Sequence, residues 1–310
     1  DMKPLNKCSW DTSSTSVLQN DHVVINIDLQ SENFKSNYVA ILNHNLKSAS
    51  GKIRIFAGDI ASDVTAVDGA NAETADITWD SVTITEVVNA DTITTATDNK
   101  SVVIEPATDG STIIKFPEQG LRYWAIQFEG ADGGLGAATD ETFSASVDLF
   151  VGCVMIGEYY DMPHSPDLSL KRSVAFDKAT LQESIGGQRY SNLSSFGGQS
   201  NGTTKSPFSL ASQHFVMHGG RRAFDLNFSY LASTDILPTN YSSEQYGDDS
   251  VLGDLWNKTH GRHTPFIFSV DKDSEGSTAE SEHVFARFAQ DSLEMTQVAN
   301  GVYNISLKIE

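Results

Sequence analysis

The feature that most constrains the fold is a recurrence of short, β-branched runs with period-two alternation, broken by clusters of Gly, Asp, Asn and Ser. HVVINIDL (22–29), KIRIFAG (52–58), SVTITEVV (81–88) and SVVIEP (101–106) are too short for stable helices and rich in Val, Ile and Thr. In LRYWAIQFEG the alternation places Arg122, Trp124, Ile126 and Phe128 on one face. FSASVDLFVGCVMIGEYY (143–160) continues the pattern, interrupted at Gly152. Many short strands with frequent turn signals predict an antiparallel sandwich or barrel. The intervals DVTAVDGANAETAD (63–76) and EGADGGLGAATDET (129–142) read as acidic loops.

A chain of 310 residues exceeds what one hydrophobic core usually serves, so two domains are expected. The boundary falls at YYDMPHSPDL (159–168), where two prolines interrupt strand pairing. This gives a β-sandwich over residues 1–160 and a second β-rich domain over 161–310. In the second domain, RSVAFD and LQESIGGQRYS read as a hairpin joined by a short loop, and SFGGQSNGTTKSP as a linker or long loop. RRAFDLNFSYL puts Phe224, Leu226, Phe228 and Tyr230 on one side. GVYNISLKI does the same for Tyr303, Ile305, Leu307 and Ile309. One helix is expected near 242–259: Ser242 or Ser243 caps it, Val251, Leu252, Leu255 and Trp256 form its apolar stripe, and Gly261 ends it.

Charge excludes some partners. Asp and Glu number 41 against 21 Lys and Arg, a net charge of −20. So negative a surface repels phosphate backbones, and nucleic-acid binding is not expected. No apolar run reaches membrane-spanning length, so no membrane insertion is expected, and DMKPLNKCSW lacks an apolar signal segment. Cys8 and Cys153 read as two reduced thiols.

The tripeptide Asn43-His44-Asn45, at the abrupt end of an apolar run, has two readings. A histidine at a strand end is a usual place for chemistry, but catalysis needs a nucleophile and an orienting carboxylate, and no G-x-S-x-G elbow occurs. The Asx-turn chemistry of the flanking asparagines favours a capped turn. Histidines fall in two loose pairs, His214/His218 and His260/His263, and the four-residue spacing of the first would suit zinc on a helix. On a strand, however, positions four apart stand roughly 13 Å apart, too far to share one ion. The most pointed match is DKDSEGSTAESE (271–282). Asp271, Asp273, Glu275 and Glu282 take the first, third, fifth and twelfth places of a calcium loop, with Gly276 sixth. The flanks TPFIFSV and EHVFARFAQ read as strands, so the helix–loop–helix frame is missing and a charged hairpin tip is the competing reading. GADGGLG has acidic neighbours and no lysine, which disfavours phosphate. Tyr159, Tyr160, Tyr241 and Tyr246 offer stacking surfaces for sugars or for packing.

Several of these stretches resemble one family. YVAILNHNLKSASGKIRIFAGD resembles the strand–turn–strand of N-terminal β-sandwich domains in tailed-bacteriophage tail proteins, GLRYWAIQFEG a strand of the same galactose-binding-like jelly rolls, and DLFVGCVMIGEYYDMP the strand that closes that domain. TPFIFSVDKD and FARFAQDSLEMTQVANGVYNISLKIE resemble the C-terminal β-domain of minor or distal tail proteins. The resemblance implies a jelly roll followed by a tail-assembly domain, and a structural virion protein made in the host cytoplasm, without catalysis or cofactor. The segment HNL is then a structural turn. Partners would be further copies of the chain, in a ring or trimer, and other tail proteins, with the second domain around Trp256 making the ring contacts. The alternative is a module that binds host-surface glycan.

Overall fold

The computed structural model describes residues 4, 6–13, 22–31, 34–64, 77–90, 92–95, 100–130, 142–175, 179–193, 221–238, 250–271 and 279–310. The chain is mainly β and forms two compact units. Unit 1 comprises residues 1–161, 238–255 and 267–285; unit 2 comprises 162–237, 256–266 and 286–310.

Unit 1 is built on ten strands: β1 (Cys8–Trp10), β2 (Val23–Asp28), β3 (Ser36–His44), β4 (Gly51–Gly58), β5 (Thr85–Val88), β6 (Thr92–Thr95), β7 (Val102–Glu105), β8 (Gly110–Gln119), β9 (Tyr123–Gly130) and β10 (Leu149–Gly157). They form two antiparallel five-stranded sheets, in the orders β1-β10-β3-β8-β5 and β2-β9-β4-β7-β6. Without β5 and β6, the eight remaining strands follow the double Greek key of a jelly roll. The hairpin-like excursion β5–β6 lies between β4 and β7 and adds one edge strand to each sheet.

Alternation explains the sandwich. Val39 and Ile41 of β3, Ile53 and Ile55 of β4, Ile114 and Phe116 of β8, and Trp124, Ile126 and Phe128 of β9 belong to one buried cluster between the sheets. Phe116 sits at its centre, stacked on Trp124 at 5.7 Å and edge-on to Trp79 at 5.5 Å. Trp79 also explains why 81–88 is not one strand. Its burial in the core draws Trp79–Ser81 into a 3-10 turn, closed by Val82 N–H to Trp79 O at 3.1 Å, and only Thr85–Val88 pairs. The opposite face of the first sheet is also apolar. Ala40, Leu42, Val88, Ile113, Cys153 and Met155 are buried there, with Ile267 and Phe285 packed against them. Arg122 departs from the expected face: it lies just before β9 and forms a two-pronged bond to Asp28 at 2.7 and 2.9 Å.

Unit 2 contains β11 (Lys171–Ala175), a hairpin of β12 (Ala179–Glu183) and β13 (Arg189–Leu193), β14 (Arg221–Ala232), the short helix α1 (Ser233–Ile236), and β17 (Met295–Ala299) with β18 (Val302–Ile309). Its sheet runs β11-β14-β18-β17, all antiparallel. Two expectations are corrected here. RSVAFD pairs with β14, not with LQESIGGQRYS; the latter folds on itself, its turn closed by Ser184 N–H to Gln188 O at 2.8 Å. Tyr230 does not join Phe224, Leu226 and Phe228. A bulge between Phe228 and Leu231 turns it outward at φ 62° and 76 % exposure, and Leu231 takes the buried place.

Two further short strands, β15 (Phe266–Phe268) and β16 (Val284–Ala286), form a separate pair, and α2 (Ala279–Glu282) precedes β16. The helix expected over 242–259 is shorter where it is described. Residues 242–249 lie outside the described residues, and Val251–Asn257 is a single π-helical segment. It ends at Asn257, before the expected Gly261, which stands in the turn that follows, at φ 62°, donating to Trp256 O at 3.0 Å. In unit 2, Phe288 packs between Trp256 at 5.1 Å and Phe266 at 4.9 Å. Among the described residues, no helix is long and apolar enough to cross a membrane.

Candidate functional site

The Asn43-His44-Asn45 turn ends β3 at one rim of the jelly roll. Asn43 adopts φ 55°, a left-handed conformation that Asn tolerates, and the β3–β8 register shifts between Ile41 and His44. Its side chain donates to Pro4 O at 2.7 Å. Asn45 spans to β10 twice: it donates to Asp148 O at 2.8 Å and accepts from Phe150 N–H at 2.7 Å. Both asparagines therefore tie the turn to backbone distant in sequence; these are tertiary bonds, not the expected local Asx-turn bonds, in which the side chain accepts from the N–H two residues on.

His44 is buried beside a hydroxyl, an arrangement that superficially resembles a nucleophile–base pair. Its Nε2 lies 2.9 Å from Thr112 Oγ1. The surrounding bonds assign the protons. Leu46 N–H donates to Nδ1 at 3.3 Å, so Nδ1 accepts and Nε2 carries the hydrogen. Thr112 Oγ1 accepts from it and donates in turn to Asn89 O at 3.1 Å. Nε2 is thus a donor, not a base toward Thr112. Burial pushes the imidazole pKa down to about 4, against a smaller opposing pull from Asp109, so the ring is neutral at pH 7. The chain Leu46–His44–Thr112–Asn89 satisfies a buried rim and stitches β3 to β8.

A second polar cluster was not anticipated from sequence. On the face of β4 and β9 opposite the core, Lys52 pairs across the ladder with Glu129, and Arg54 with Gln127. All four are at most 1 % exposed. Arg54 grips Glu129 with two bonds, Nε at 2.9 Å and Nη2 at 2.7 Å, and reaches Ser101 Oγ at 3.0 Å. Lys52 Nζ stands 3.6 Å from the same carboxylate, and Gln127 donates to it at 3.0 Å. The signal was visible in KIRIFAG and QFEG as alternating charge. Such alternation ordinarily marks a solvated face, and only the register shows that Lys52 and Glu129 oppose one another.

The calcium-loop residues divide. Asp273 and Glu275 lie outside the described residues, as do Gly276, His214 and His218. Asp271 is exposed and bonds locally with Ser269, while Glu282 ends α2. The flanking segments are β15 and β16, strands as the sequence suggested. Among the described residues, no group of three His, Cys, Asp or Glu side chains is placed to hold a metal ion. His260 and His263 belong to a turn in which His263 N–H donates to His260 O at 3.3 Å.

Within unit 1, a shallow cavity of about 110 Å³ opens beside Asn43, lined by Leu42, Val88, Ile113, Ile267, His283 and Phe285 among others. Ligand pockets usually enclose about 300–1,000 Å³, so this one suits a single small side chain better than a cofactor. Searches against family models, curated proteins and solved structures return no match to this chain.

Proposed function

We propose that this protein is a structural component of a tailed-bacteriophage virion, assembling as an oligomer in the tail. The observation that carries the reading is the state of the unit 2 sheet edges. Every residue of β11 and of β17, the two edge strands, is exposed. β17 reads MTQVA, without charge or proline to blunt it. β11 is guarded by Lys171 and Arg172, but an exposed, uncharged edge such as β17 invites pairing, and assembly with further copies is one way to cover it. Within the jelly roll, the buried His44 and Arg54 are bonded internally, to Thr112 and Glu129. The sequence resemblance to tail proteins supplies the setting. Native mass spectrometry of the purified chain tests the reading: a defined multiple of 33.7 kDa supports it, and a single copy across micromolar concentrations refutes it.

A glycan-binding role in host attachment has one observation in its favour. Tyr159 is 42 % exposed and its backbone N–H bonds to Asn37 Oδ1 at 2.7 Å, giving an aromatic face beside an amide. Titration with host polysaccharide tests it; a Tyr159→Ala variant that binds as well as the parent removes Tyr159 from the account.

A further inference from the structure

The two units carry opposite charge. Unit 1 holds 33 Asp and Glu against 10 Lys and Arg, a net of −23; unit 2 holds 8 against 11, a net of +3; together these give the chain's −20. Four of the basic residues of unit 2 lie along its β11 edge. Lys171 and Arg172 lie on the exposed edge strand β11, and Arg221 and Arg222 lie opposite its far end on β14. Arg221 is bonded to Glu310 at 3.0 Å and Asp225 stands opposite Lys171, so along this edge four cations face two carboxylates. Unit 1 presents an acidic rim. Glu86 on edge strand β5 and Glu105 and Asp109 around the β7–β8 turn are exposed, and the turn is stitched to the end of β5 by Asn89, which bonds Thr108 at 2.8 and 3.0 Å.

We infer that copies of this chain associate head to tail, the basic β11 edge of one unit 2 docking on the acidic β5 rim of unit 1 in the next copy. The partner is a second copy because one chain carries both complementary surfaces, one along the β11 edge and one at the rim where β5 meets the β7–β8 turn. A contact between two different patches is heterologous, so it propagates to a ring when the rotation closes. The inference rests on the assembly reading above and specifies its interface.

Salt gives the contact a distinctive sign. Copies of net charge −20 repel one another, so an apolar contact between them tightens as salt screens that repulsion. A contact between Lys171–Arg172 and Glu86–Glu105 loosens instead, because screening removes its attraction. Sedimentation velocity of the full chain at 50 and 500 mM NaCl reads the difference. The expected result is an oligomer at low salt whose dissociation constant rises about tenfold or more at high salt. The variant K171E/R172E is expected to sediment as a monomer, as is E86K/E105K, and equimolar mixing of the two is expected to restore a complex through swapped charges. Circular dichroism confirms that each variant folds; if one does not, the salt response of the unaltered chain decides. An oligomer that tightens with salt, or one untouched by both reversals, overturns this interface while leaving assembly intact. A monomer at every salt and concentration overturns both.

Discussion

Replacing Glu129 with glutamine removes the carboxylate that Arg54 and Lys52 share, while keeping its size. Arg54 is fully buried and Lys52 is 1 % exposed, so neither cation gains water in exchange. Removing one partner of a buried ion pair typically costs about 3–5 kcal/mol, because the remaining charge stays desolvated. Two bonds from Arg54 at 2.7 and 2.9 Å and one from Gln127 at 3.0 Å are weakened together, which places this site toward the upper part of that range. For a unit of this size the loss corresponds to a fall in melting temperature of roughly 6–20 °C. Trp10, Trp79 and Trp124 lie in unit 1 and only Trp256 in unit 2, so tryptophan fluorescence during urea unfolding mainly follows the affected unit. The triple change Lys52→Met, Arg54→Leu and Glu129→Leu is expected to recover most of the stability, because replacing a buried pair with apolar groups is often neutral. A loss below about 1 kcal/mol in Glu129→Gln would refute the argument, since it would mean that water or another group compensates the cations.

His44 should make stability depend on pH in a known direction. Its folded pKa of about 4 lies below the ordinary 6.5, so its contribution is complete above 6.5 and is lost as pH falls toward 4. Between pH 7 and 5 the urea-derived stability should fall by about 2 kcal/mol from this group, and His44→Gln should flatten that slope; an unchanged slope contradicts the assignment. At Gly130, a methyl group would fall on the backbone of Thr142, so Gly130→Ala should cost about 1–3 kcal/mol in chemical denaturation. Cys8 is exposed, whereas Cys153 is buried and its thiol pKa is raised by that burial. A thiol reagent should therefore titrate one fast equivalent in the native protein and a second only after unfolding; two fast equivalents would place Cys153 at the surface.

The strands of the jelly roll were legible because their burial is one-sided. Trp124, Ile126 and Phe128 alternate with smaller or polar residues, and that period survives in the fold. What alternation cannot carry is partner and register. RSVAFD has the composition of a strand, but nothing local selects β14 over the adjacent hairpin. Tyr230 follows Phe228 at the right spacing, yet a bulge, which adds one residue, reverses every face beyond it. The apolar stripe at Val251, Leu252 and Leu255 marked a helical segment correctly, but its π geometry depends on packing and not on spacing. The turn after β3 was legible from its asparagines, but the bonds that hold it run to Pro4, Asp148 and Phe150, which local Asx chemistry does not foresee. The Lys52–Arg54–Glu129 cluster did not, because a charged residue on a strand ordinarily signals water, and only the paired register brings opposite charges together.

The central claim is that the chain acts by joining to copies of itself through its sheet edges. Electron-microscopic imaging of the purified protein at low salt tests this most directly. The account predicts closed particles of one defined symmetry, with subunits repeating head to tail; a field of isolated single copies, unchanged on concentration, would contradict it.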